Sequence, residues 1–214
     1  MNSVSPPAGR PPPSGIFASL GHAWDGLVHT VVRGRNMRIH LVAAVMVGLV
    51  GSGIPLGLAE KVTLIFCVLF VFFAEILNTA LEQVVDLATE LLNDKARIAK
   101  DTAAAGVAVL AAGTVVVFAA LLVHNWETIV QYPEQIGRQA LFGLPLTACT
   151  GFLCASWRKP LWLEVIAALA AVGLWIVLAR HTESWVFSAL MAGLLAVAFA
   201  ASRERRRING RDGL

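Results

Sequence analysis

The sequence predicts an all-α integral membrane protein with an N-terminal interfacial helix, a three-helix membrane unit and about three further transmembrane helices. Three observations carry that reading. Hydrophobic residues make up 57% of the 214 and charged residues only 14%, where a soluble domain carries roughly a quarter charged, and the mean hydropathy is +0.70. Apolar stretches of about 17–25 residues recur six times, near 39–58, 62–85, 102–123, 139–155, 161–179 and 185–202. Fourteen of the seventeen Lys and Arg residues fall in 1–38, 86–101, 156–160 and 203–214, leaving Lys61, Arg138 and Arg180 for the other side. The positive-inside preference then places both termini in the cytoplasm, which requires an even number of spans.

In chain order, residues 1–15 hold five prolines and little to bury, which predicts a disordered or polyproline-like tail. No cleavable leader is expected, because the first long apolar run begins only near residue 39 and lacks signal-peptide features. From Ile16 to Val32 apolar residues recur at helical spacing, with His22, Asp25 and His29 between them. That predicts an amphipathic helix, either lying at the membrane surface with Trp24 as an anchor or packed on the bundle. Gly51, Gly53, Pro55 and Gly57 predict a short outer turn after the first span. The second span runs into a polar segment, 86–101, and Asp101 before Thr102 reads as the N-cap of the third.

Residues 124–136 are expected to be an outer loop between a first membrane domain, 16–123, and an extension, 137–202, followed by a basic tail, 203–214. The fourth span is interrupted by Pro145, with Gly137, Gly143 and Gly151 lowering its helix propensity. Acidic and basic residues of the extension lie only at the ends of its spans, and no internal repeat relates the two halves. The extension could shield the bundle, admit a substrate or dock a partner. Orientation accounts for the arginine cluster after the last span, so no nucleic-acid partner is expected. Cys67, Cys149 and Cys154 have no metal or redox spacing and read as packing residues.

Chemistry concentrates on the second span. At 100° per residue, Glu75, Asn78, Glu82 and Asp86 point within one stripe roughly 80° wide. A carboxylate in lipid costs at least about 2.5–3.5 kcal/mol, so such a polar seam must face protein or a site. Walker, nucleophile-elbow, zinc-protease and dinucleotide patterns are missing from the sequence. Lys100-Asp101 and Asn36-Met37-Arg38-Ile39-His40 converge with the seam on the cytoplasmic face. Carboxylates, an amide and a lysine there suit a magnesium-nucleotide complex and a base for a lipid hydroxyl. Helix–helix hydrogen bonding alone would also account for the seam.

The run Phe73-Ala-Glu75-Ile-Leu-Asn78-Thr-Ala-Leu-Glu82-Gln-Val-Val-Asp86, followed by Ala99-Lys100-Asp101-Thr-Ala-Ala, resembles the prokaryotic diacylglycerol kinase and undecaprenol kinase family. Ala23-Trp24-Asp25-Gly26-Leu27 and Arg35-Asn36-Met37-Arg38-Ile39-His40 match it in the same order. The resemblance spans about residues 16–123. It implies ATP-dependent phosphorylation of a lipid hydroxyl in the inner membrane, with magnesium as cofactor, by a homotrimer whose sites lie between subunits. By the same resemblance Glu75 is the base and Glu82 binds the metal and nucleotide. Lys100 and Asp101 hold the nucleotide, and Asn78, Asp86, Asn36 and Arg38 support the site. The wording around Asn36 and Asn78 leans toward the undecaprenol branch.

Two departures stand out. Gly34 occupies the place of a metal-sharing glutamate, and Leu91-Leu92-Asn93 replaces a nucleotide-contacting segment. Asp25, Glu90, Asp94 or water are candidates to fill in. An inactive member serving as a lipid-binding scaffold, and a small transporter using Glu75 and Glu82 as a proton relay, are the other readings.

Overall fold

The computed structural model describes residues 15–89 and 93–211. Most of the proline-rich tail and Glu90, Leu91 and Leu92 lie outside the described residues. The described chain forms eight helices: α1 Ile16–Arg33, α2 Arg35–Gly53, α3 Leu58–Ala88, α4 Asp94–His124, α5 Trp126–Gln131, α6 Pro133–Cys154, α7 Leu161–Ala179 and α8 Trp185–Arg211. No strand occurs among the described residues. Five helices, α2, α3, α4, α7 and α8, are long and apolar enough to cross a membrane.

Side-chain and backbone contacts show how the helices alternate. At one end Lys100 Nζ donates to Asp86 Oδ1 at 2.5 Å, and Arg205 Nη1 donates to the Ala155 carbonyl at 2.5 Å. At the other, Asn125 Nδ2 donates to Glu60 Oε1 at 2.7 Å and Gln135 Nε2 donates to Glu183 Oε1 at 2.9 Å. The Glu183 N–H also reaches the Ser52 carbonyl at 2.8 Å. Helix α6 therefore runs from one end to the other, like its neighbours, through Pro145. It falls below the apolar content of the other five because its first turns carry Glu134, Gln135, Arg138 and Gln139. The start of α2 and the end of α8 thus lie on the same side, and of the six expected spans five are long and apolar enough to cross a membrane, α6 being the exception.

Local chemistry explains where the helices stop. Helix α1 breaks at Gly34, which is extended (φ −75°, ψ 116°), and α2 resumes one residue later. Helix α3 starts at a one-sided cap, with the Gly57 N–H donating to Glu60 Oε2 at 2.7 Å. The Asp101 cap is not what forms. Asn93 Oδ1 instead accepts from the Lys95 N–H at 2.8 Å, and α4 begins at Asp94. Residues 94–101 contain good helix formers and no Gly or Pro, so the helix extends back to the earlier capping side chain. Asp101 sits two turns inside it, accepting from Arg97 Nη1 at 3.3 Å. The polar segment expected over 86–101 is accordingly mostly helix, the end of α3 and the start of α4. The 124–136 segment likewise contains α5 and the first turn of α6, and the basic residues from Arg203 continue α8.

At 1.5 Å per residue, the 31 residues of α3 and of α4 each reach about 46 Å, well beyond a hydrocarbon core of about 30 Å. The hairpin they form is pinned at both ends by the Asp86–Lys100 and Glu60–Asn125 contacts. Val107 is the one buried residue of α4, and Val109, Val115, Val116 and Val123 stand fully outward.

The extension packs into the first membrane domain. Helix α8 lies against α1 and α2, and α6 lies against α2. Glycines permit this approach. A Cβ on Gly48 would meet Met191 Cγ at 2.6 Å, and one on Gly51 would meet the Phe187 ring at 2.5 Å. On α6, a Cβ at Gly143 would meet Leu49 Cδ2 at 2.7 Å. Gly51 and Gly53 thus belong to α2 rather than to an outer turn, which spans 54–57 instead. Close backbone approach through small residues is a main source of helix association in lipid, where the hydrophobic effect no longer favours one apolar contact over another.

This packing predicts that Gly51→Leu lowers the thermal unfolding midpoint in detergent by several degrees, an overpacking cost of about 1–3 kcal/mol. Gly193→Leu, where a Cβ meets nothing within 4 Å, should leave the midpoint unchanged or higher.

Candidate active site at the α1–α2 junction

Glu75 lies on the buried side of α3, 3% exposed, and Asn78 one turn later is 6% exposed. The carboxylate faces the start of α2. Glu75 Oε1 is 3.6 Å from where a Gly34 Cβ would sit, and the Met37 backbone N–H is directed at the carboxylate. No side chain of its own caps α2, and the first N–H groups of any helix lack intrahelical partners and attract anions. Glu75 therefore serves α2 from a neighbouring helix. Its second oxygen, Oε2, is buried without a hydrogen-bond partner, as is Asn78 Oδ1.

The level of this contact matters. Because α2 begins at Arg35, Glu75 stands beside the first turn of α2, at the rim of the apolar slab rather than at its middle. The remainder of the seam climbs out from there. Asn78 Nδ2 donates to Glu82 Oε1 at 3.0 Å, and Glu82 is half-buried. Asp86 is exposed and paired with Lys100, which joins α4 to the seam. Glu75, Asn78, Glu82, Asp86 and Lys100 thus form one ascending track, buried at its base and hydrated at its tip.

The other sequence candidates are placed differently. Asp101 is exposed on α4, and Asn36 is exposed on the first turn of α2. Arg38 turns away from the seam, donating from Nη1 to the Val32 carbonyl at 3.1 Å and lining a crevice with Gly151, Cys154 and Ala155 of the extension. Asp25 is exposed, and Asp94 lies 3.7 Å from Arg97. Glu90 lies outside the described residues.

Among the described residues, no group of three or more His, Cys, Asp or Glu side chains converges as a metal site. The donor set at the seam still suits a hard cation in chemistry. Glu82 supplies a carboxylate, and Asn78 and Glu75 hold unpartnered buried oxygens. Magnesium prefers oxygen ligands and commonly takes one or two carboxylates, completing its shell with water and phosphate.

Two residues escaped the sequence reading. Met37, fully buried, and Thr30, 3% exposed, floor the Glu75 site. Thr30 receives the Gly34 N–H on its carbonyl at 2.7 Å while its hydroxyl bonds back to Gly26 at 3.0 Å. Neither carries a chemical signature in sequence, since an apolar and a hydroxyl residue at helical spacing read as ordinary packing.

The family described as prokaryotic diacylglycerol kinase matches residues 21–122, which cover α1 to α4 apart from the first turns of α1 and the last residues of α4. An undecaprenol kinase of Bacillus subtilis is 36% identical over 96 residues, 45% of this chain and 78% of that protein. The chain belongs to the prokaryotic diacylglycerol kinase family. A diacylglycerol kinase of Synechocystis is also 36% identical, over 108 residues that make up 50% of this chain and 62% of that enzyme. No solved structure matches the chain. The family is one of lipid kinases, which places this membrane protein among enzymes of that class. Helices α5 to α8 lie outside the match.

Gly34 is sterically constrained in this setting: a Cβ there would lie 2.8 Å from the Thr30 carbonyl oxygen and 3.2 Å from Met37 Cβ. Gly34→Ala should therefore lower the unfolding midpoint by an amount equivalent to about 1–3 kcal/mol. Gly106→Ala, in open space within α4, should raise stability by up to about 1 kcal/mol through helix propensity. Differential scanning fluorimetry on the two variants checks the contrast.

Proposed function

We propose that this protein transfers the γ-phosphoryl group of ATP to the hydroxyl of a membrane lipid, diacylglycerol or undecaprenol, with Glu75 as general base. The observation that supports it best is the Glu75 carboxylate, buried at the rim of the membrane slab with Oε2 unpartnered. A lipid alcohol carries its hydroxyl at that level, with its apolar tail in the bilayer. Glu75 Oε2 accepts the hydroxyl proton as the lipid oxygen forms its bond to the γ-phosphorus. The bond from that phosphorus to the bridging oxygen breaks, ADP leaves, and the proton passes to water. Transfer of this kind depends on positioning and charge stabilisation more than on covalent chemistry.

The remaining residues act on the nucleotide side. Glu82 is the carboxylate for magnesium, oriented by the Asn78 amide. Magnesium, when bound, neutralises charge on the phosphates. Lys100 and Asp101 hold the nucleotide, Lys100 exchanging Asp86 for a phosphate oxygen, and Asn36 and Arg38 support the junction around Glu75. The outward face of α4 is the surface on which subunits associate, and a trimer is the expected assembly. The distribution of Lys and Arg supports a site that faces the cytoplasm at the inner membrane.

One observation favours a second reading. With Gly34 in place of a carboxylate and no three-residue metal group among the described residues, the chain could instead serve as a catalytically silent lipid-binding scaffold. Labelled phosphate transfer from magnesium-ATP to diacylglycerol and to undecaprenol in parallel separates the two. The kinase reading expects product with one lipid preferred, a loss of at least about 100-fold in Glu75→Gln, and a marked loss in Glu82→Gln. Folded protein that phosphorylates neither lipid would establish the scaffold. Native mass spectrometry should find three copies of the 22.8 kDa chain; a monomer would remove the shared-site arrangement.

A further inference from the structure

The extension carries a second polar cluster, remote from the Glu75 track and unused by the proposed reaction. Lys159 in the α6–α7 connection and Arg205 on α8 are each 8% exposed, unlike the hydrated cations that normally set topology. They line a pocket of about 230 Å³ with Trp157, Arg158, Arg206 and Asn209. One carboxylate, Glu164, enters it, accepting from Arg206 Nη2 at 2.6 Å. Four cations against one carboxylate leave a surplus of positive charge in a half-open pocket whose inner wall holds the buried Lys159 and Arg205.

Part of this cluster is structural. Lys159 Nζ donates to the Phe152 carbonyl and, at 3.3 Å, to the Leu153 carbonyl, closing the C-terminus of α6. Arg205 Nη1 holds the Ala155 carbonyl. These bonds to neutral carbonyls do not balance the charge. Arg205 Nη2 is buried with no hydrogen-bond partner, an arrangement that is costly unless an acceptor completes it. Burial and the adjacent Arg205 guanidinium hold the Lys159 ammonium below its ordinary pKa, outweighing Glu164.

The pocket continues into apolar space. Glu164, Ser202 and Arg206 are shared with a crevice lined by Leu153, Val165 and Phe199. Those three residues also border a groove of about 450 Å³ between α7 and α8, which runs past Leu169, Val172 and Leu195. A polar, cationic head at the membrane boundary thus opens onto an apolar channel directed into the slab. Free inorganic phosphate would use only the first part, whereas an anionic phospholipid uses both. Basic pockets between membrane helices are suited to such headgroups.

We propose that the α7–α8 groove binds one anionic phospholipid, its phosphate held by Lys159, Arg205 and Arg206 and an acyl chain lying along Val165, Val172 and Phe199. The site is independent of phosphoryl transfer and stands whether or not the chain is an active kinase.

The test is native mass spectrometry of the full-length protein titrated with phosphatidic acid, phosphatidylglycerol or phosphatidylcholine, alone and with inorganic phosphate as competitor. The expected result is one high-affinity anionic lipid per chain, at least about tenfold preferred over phosphatidylcholine. Arg206→Gln should weaken it about fivefold, by the loss of one cation near the headgroup. Ala196→Trp, which fills the groove from an exposed position, should weaken it at least as much without touching the cations. Arg33→Gln, an exposed cation on α1, should change nothing. If Arg206→Gln fails to fold, Arg158→Gln at the exposed rim and Ala196→Trp decide the matter. Equal binding of phosphatidylcholine, binding unaffected by Ala196→Trp, or displacement by millimolar inorganic phosphate would each overturn the proposal.

Discussion

The Glu75 carboxylate has to be kept from lipid, and the chain does this by bringing the uncapped start of α2 against it, with the Met37 N–H directed at the carboxylate and Oε2 left unpartnered. That contact demands that α1 end and α2 begin within one residue, at Gly34, where a side chain would strike the Thr30 carbonyl. It also requires α2 to be held at a defined height relative to α3. The clamp comes from elsewhere in the chain, where Gly48 and Gly51 seat the α2 backbone on Met191 and Phe187 of α8 and Leu49 seats on Gly143 of α6.

The extension is therefore part of what positions the family domain rather than an appendage to it. Helices α6 and α8 occupy the side of α2 away from the track, and α8 also supports the buried half of α1 through the region of Val28 and Val31. The opposite half of α1 keeps Ile16, Phe17, Leu20 and Trp24 uncovered, an apolar stripe suited to the membrane surface. The outward faces of α3 and α4 stay free of the extension. Gly34 permits a tighter α1–α2 junction than a larger residue would, since a Cβ there would lie 2.8 Å from the Thr30 carbonyl oxygen.

Much of the site was legible in sequence because it lies on one helix. The stripe of Glu75, Asn78, Glu82 and Asp86 follows from helical periodicity alone, and the structure keeps it on one face with a gradient of burial along it. The convergence of Lys100 with the seam followed from the inferred topology, but its pairing with Asp86 was legible in neither spacing nor resemblance. Arg38 was grouped with the track because it lies in the run from Arg35 to His40 that matches the family, but two steps along α2, about 200° from Asn36, turn it toward α6. Asp101 was a plausible cap beside an apolar run, and it lost to Asn93 because the seven residues between them are all helix-compatible.

What the sequence by itself determined is the all-helical membrane class of the protein, the family resemblance over its first half and the polar face of α3. Each of these rests on hydropathy, charge, periodicity or local motifs, which are properties of consecutive residues. The tertiary structure decided which backbone meets Glu75, why Gly48, Gly51 and Gly143 must be small, and that Lys159 and Arg205 are buried rather than solvated. Those outcomes depend on contacts between residues far apart in the chain, Gly51 with Phe187 and Ala155 with Arg205 among them. No local pattern encodes such contacts, because in lipid the choice among apolar partners rests on shape complementarity, which exists only once the helices have come together.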